Sequence, residues 1–191
     1  MVYRNYYYFV ATLPSLNYGE RPHKTPLEFE EECYTLLHPK DTRLLPFCRF
    51  DPKLAVETIE STGSDFIDTF LQRERILILN LASLRAAKLR RQGPAEVPQD
   101  IPRTVAVAKA AFEMDDPLQA TLHIDRARWG ALDTMVGMDD IFGLNNILVH
   151  FLKLQLLDRK QRFDPEIGAE IYKERYDTIL DEYNSRDKED N

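Results

Sequence analysis

Glycine is scarce, with seven in 191 residues, and none is grouped into G-x-G-x-x-G or G-x-x-x-x-G-K, so nucleotide binding in a P-loop is excluded. Cysteine is scarcer still: Cys33 and Cys48 lack metal-ligand spacing and, in predicted helical stretches, read as buried free thiols of a reducing cytosol. The four histidines, His23, His38, His123 and His150, lie far apart, and none belongs to an H-E-x-x-H or E-x-x-H pair of the kind that builds zinc or di-iron sites. Nucleophile arrangements of the Ser/His/Asp or Cys/His type leave no local signature. Long apolar runs are missing as well, since the most hydrophobic helical stretch is broken by Arg75 and Arg85 short of the ~20 residues a bilayer demands. Positive charge is in deficit: a net charge of −7 argues against general nucleic-acid binding. The opening MVYRNYYYFVATLPSL carries one Arg and too many tyrosines for a signal-peptide core, so a soluble, cytoplasmic protein is expected.

What the chain does have is helical periodicity. The longest uninterrupted pattern runs from Ser64 to Gly93. Ser64 is placed to cap it, Asp65 and Asp68 fall in its first turn, Arg90 and Arg91 in its last, and Gly93-Pro94 ends it. Phe66, Phe70, Leu77, Leu81 and Leu84 share one face, while Ile76, Ile78, Leu79 and Ala82 fill the others, as expected of a helix wrapped by neighbours. Asn5 to Leu16 reads as a helix for want of a partner strand. Thr25-Pro26-Leu27-Glu28 is a capping-box signature opening a helix to about Leu37, with Leu27, Phe29, Cys33 and Leu36 inward. Asp41 is placed to cap a short helix to about Phe50, kinked or broken at Pro46, and Asp51-Pro52 restarts one to Glu60.

Beyond a Pro-rich, exposed connector at 93–102, helices are predicted over Arg103 to Met114, from Asp116-Pro117 to Gly137, over Leu144 to Arg159, and from Asp164-Pro165 to about Asn184. In the second of these, Leu118, Ala120, Leu122, Ile124, Trp129 and Leu132 provide core surface; the third is apolar on most faces and reads as a second inner helix. Residues 185–191 are polar and expected to fray. The sum is a single all-α domain over 1–191, a bundle of about seven or eight helices around a long central one.

Few residues invite chemistry. Arg73, beside the apolar stripe, calls for a partner such as Glu74 or a carboxylate from another helix, and with Asn80 and Arg85 fits a network that fixes register. His123 and Asp125 are two apart on a helix and do not face each other. His150 sits on an almost wholly apolar helix, where a buried neutral imidazole is the ordinary outcome. Asp115-Asp116 and Asp139-Asp140 stand at predicted helix starts, where capping accounts for them. Arg85, Lys88, Arg90 and Arg91 put four cations into two turns, more than a helix dipole needs. This end is read either as a solvated terminus or as a dock for an acidic partner, with no aromatic interleaved to stack a nucleic-acid base.

The segments YYYFVATLPSL (Tyr6 to Leu16), LNLASLRAAKLRR (Leu79 to Arg91), DRARWGALD (Asp125 to Asp133) and LVHFLKLQLLDRKQRFDPEIG (Leu148 to Gly168) resemble, in this order, a bacterial family of unknown function. Its members are encoded in V/A-type ATPase operons of spirochaetes, chlamydiae and Bacteroidetes. The resemblance implies a counterpart of the C/d-type stalk component, between the rotary stalk and the membrane ring: a non-catalytic helical adaptor of a proton- or sodium-translocating ATPase. The partners it implies are the ATPase subunits at the inner face of the cell membrane; no cofactor and no nucleic acid are expected. Arg85, Lys88, Arg90 and Arg91, the tyrosines Tyr6, Tyr7 and Tyr8, and the final helix are the candidate contacts. Two alternatives stay open: a metal-dependent hydrolase built on His150, and a nucleic-acid or regulatory binding module built on the basic helix end.

Overall fold

A computed structural model describes residues 6–57, 60–137 and 141–163, together with 173, 175 and 176. The described residues form eight α-helices and one 3-10 turn, with no sheet. The helices are α1 (Tyr7–Thr12), α2 (Pro26–Leu36), α3 (Pro39–Thr42), α4 (Pro52–Glu57), α5 (Asp65–Lys88), α6 (Pro102–Glu113), α7 (Pro117–Met135) and α8 (Leu144–Gln161). The all-α expectation holds.

Local chemistry sets most helix starts. Thr25 accepts from the Glu28 backbone N–H while Glu28 accepts from that of Thr25, which closes the capping box on α2. Ser64 accepts from the Ile67 N–H and Asp116 from the Leu118 N–H, capping α5 and α7 as their sequences require. In the first turn of α5, Asp68 accepts from the Thr62 N–H at 2.9 Å and from its hydroxyl at 2.7 Å, fastening the preceding loop.

The ends depart from expectation in three places. The first helix covers only Tyr7–Thr12, since Leu13 already turns to extended backbone ahead of Pro14. No helix runs from Asp41 to Phe50: α3 starts at Pro39, capped by the His38 imidazole, and Pro46 permits just a 3-10 turn over Leu45–Phe47, so Cys48 follows a turn and lies outside any helix. Helix α5 stops at Lys88, well before Gly93. Arg90 adopts φ 51°, its N–H donates to Ala87 C=O and the Arg91 N–H donates to Ala86 C=O, the two bonds of a Schellman ending with arginine where glycine is usual. The predicted last helix lies outside the described residues except at 173, 175 and 176, as do the 185–191 tail and Asp139-Asp140.

Packing forms two hydrophobic clusters. The larger core gathers Phe29 and Cys33 of α2, Phe66 to Leu71 of α5, Leu132 of α7 and the apolar length of α8. Helix α8 is the one wrapped on all sides, with nine buried residues including His150. The second half of α5 packs Leu77 and Leu81 on Ala108 and Ala111 of α6, and beyond that its face opens to solvent. Leu27 and Leu36 of α2, expected inside, are 67% and 54% exposed, because α2 turns only the Phe29–Cys33 side and the following Leu37 toward α8. The connector to α6 is exposed for most of its length yet not loose. Asn80, 5% exposed, donates to Ile76 C=O and Pro98 C=O and accepts from the Gln99 side chain.

Candidate functional site

The strongest polar feature is a tie among α5, α7 and α8. Arg128 donates from Nε to Glu74 Oε1 at 2.9 Å and from Nη2 to Glu74 Oε2 at 2.5 Å, a two-pronged bridge from α7 to α5. Its Nη1 donates to Asp125 Oδ1 at 2.9 Å, and Arg159 Nε of α8 stands 3.4 Å from Asp125 Oδ2, an ion pair without an aligned hydrogen bond. Glu74 is 5% exposed and Asp125 fully buried. Burial works against the Arg128 charge, but Glu74 and then Asp125 outweigh it and hold the guanidinium above its ordinary range. The ring of Phe50 lies 4.8 Å beneath. Such a network is paired at every ionic group, and it fixes which helix faces which.

Arg73 is not the partner of Glu74. It is half-buried, forms no ion pair among the described residues, and faces a cleft of about 170 Å³ between α5 and α7 under the first turns of α6. His123 and Asp125 do not act together, because both Asp125 oxygens face arginines and the buried His123 Nε2 finds no partner among the described residues. His150 packs its ring 4.9 Å from that of Phe29; burial first, then Lys153 and Lys24, depress it to about 4, so it is neutral. Among the described residues no group of three His, Cys, Asp or Glu side chains converges as a metal site.

The cations at the end of α5 are all exposed: Arg85, Lys88, Arg90 and Arg91 form no ion pair among the described residues, and Lys88 rests 5.5 Å from the Phe112 ring. The three tyrosines divide. Tyr6 is half-buried and structural, its hydroxyl donating to Asp41 and accepting from the His38 N–H, its own N–H donating to Phe142 C=O. Tyr7 and Tyr8 are 49% and 86% exposed, and Tyr7 packs 4.7 Å from Phe142, so Phe142 extends the aromatic patch. Periodicity gave no hint of Phe142, since it lies in a break between helices and meets Tyr7 only through the fold. No helix of the described residues is long and apolar enough to cross a membrane. Set beside family models, curated proteins and solved structures, the chain matches none of them.

Proposed function

We propose that this chain is a non-catalytic accessory or central-stalk component of a bacterial V/A-type ATPase, a helical adaptor of the C/d type. The resemblance of its four segments to a family encoded in such operons supports the assignment. One structural observation supports the adaptor part: the buried charges are spent on bracing, whereas the cations at the end of α5 and the Tyr7, Tyr8 and Phe142 patch stand outside. A part that holds others in register needs stiffness and complementary surface, and electrostatic complementarity at exposed cations contributes orientation and encounter rate.

The test is affinity purification of the tagged chain from its own cells at native abundance. ATPase stalk subunits in the eluate, lost when Arg85→Glu and Arg91→Glu are combined, support the proposal. An eluate without any ATPase subunit, from cells in which the intact ATPase is recovered through another of its components, refutes it.

A further inference from the structure

The cleft between α5 and α7 carries an unbalanced charge. Four arginines line it, Arg73, Arg103, Arg126 and Arg128, against a single carboxylate, Glu74, and Arg128 occupies both oxygens of that carboxylate. Arg126 is engaged elsewhere, its guanidinium 5.6 Å from the ring of Tyr18. Arg73 and Arg103 remain, on different helices, with no ion pair among the described residues. They feel each other: burial and then the charge of Arg103 press the Arg73 guanidinium below its ordinary value. Two cations lining one cleft beside low-dielectric walls attract an anion more strongly than either alone in water.

Two further observations point the same way. Thr104, next to Arg103, is only 7% exposed, lines the cleft, and its hydroxyl has no hydrogen-bond partner among the described residues. It stands in the first turn of a 12-residue helix that has no capping side chain, and no carboxylate within that turn offsets the positive end of the α6 dipole. The remaining wall is apolar, formed by Phe70, Leu77, Ile124 and Leu132. At about 170 Å³ the cleft exceeds by little the ~150 Å³ cavity that accepts benzene.

We infer that this cleft binds a small oxyanion, a carboxylate or phosphate, carried on an apolar group of about benzene size, with Arg73, Arg103 and Thr104 on the oxygens. The inference stands independently of the ATPase assignment.

Isothermal titration calorimetry of the full chain with benzoate, phenyl phosphate, inorganic phosphate and benzyl alcohol tests it. Benzoate or phenyl phosphate binds with a Kd on the order of 1 mM, the range open to a ligand of this size. Which of the two binds more tightly separates carboxylate from phosphate recognition. Inorganic phosphate and benzyl alcohol each bind at least tenfold more weakly, since each supplies half of the recognition. Arg73→Gln and Arg103→Gln each weaken the anion at least tenfold, and Thr104→Val weakens it by less. Arg103 is exposed, so its replacement leaves the core untouched and the circular dichroism unchanged. Equal binding of benzyl alcohol, equal binding of inorganic phosphate, undiminished binding to Arg103→Gln, or no heat from either aromatic anion overturns the inference.

Discussion

Replacing Arg128 by methionine keeps much of the side-chain volume and removes the charge that three hydrogen bonds use, two to Glu74 and one to Asp125. Both carboxylates stay where they are, one 5% exposed and the other fully buried, and the nearest other cation is Arg159 at 3.4 Å from Asp125. Removing one partner of a buried ion pair costs ~3–5 kcal/mol, most of it the penalty for the charge left behind. A protein of this kind has a total stability of about 5–15 kcal/mol. With a urea dependence of about 2 kcal/mol per molar, the unfolding midpoint followed by circular dichroism at 222 nm falls by ~2 M. Adding Glu74→Met takes away the orphaned carboxylate, so the double variant loses less than the sum of the two single losses, by at least ~1 kcal/mol. A midpoint for Arg128→Met within ~0.3 M of the parent, or strict additivity in the double variant, refutes the claim that this tie holds α5 to α7.

Three further outcomes follow from other parts of the molecule. Arg90→Gly relieves a left-handed backbone position at φ 51° and raises stability by ~1 kcal/mol, read as a melting-temperature increase of ~2–4 °C, whereas Arg90→Ala gives no gain. His150 is depressed from 6.5 to about 4, so below pH 6.5 the unfolded chain takes up a proton that the native state refuses. Stability therefore falls by about 3 kcal/mol as pH drops from 6.5 to 4, and His150→Gln flattens that stretch of the pH profile in urea titrations; an unchanged slope would count against a buried neutral imidazole. Burial pushes the Cys33 thiol up to about 12 and the Cys48 thiol up as well, so neither reacts with a thiol reagent at pH 8 in the native protein and both react in urea.

Helix starts were legible because their chemistry is local: Thr25 with Glu28, Ser64 and Asp116 each cap within three residues of themselves. The inner position of α8 was legible too, since apolar residues on every face leave a helix no exposed side. The tie was not, because Arg128 and Glu74 lie 54 positions apart and nothing local tells either which charge it will meet. The only signal was the three-residue spacing of Asp125 and Arg128, common on any surface helix. Gly93 misled for a related reason. Glycine marks a helix end statistically, but here the packing ends sooner, and the backbone turns left-handed at Arg90 despite its side chain. Arg73 looked like half of a salt bridge with its neighbour; consecutive helix positions point some 100° apart, and α7 supplied the nearer cation to Glu74.

The loop between α1 and α2 is pinned by a pair of rings with an ammonium group against each. The Tyr18 ring lies 5.4 Å from that of Trp129, with Lys160 4.8 Å from the first and Lys153 4.7 Å from the second. Trp129 is the sole indole in the chain. Its emission colour and lifetime are thus a label the molecule already carries, reporting on this one junction, and whatever peels Tyr18 away from α7 announces itself as a change in fluorescence without any dye attached.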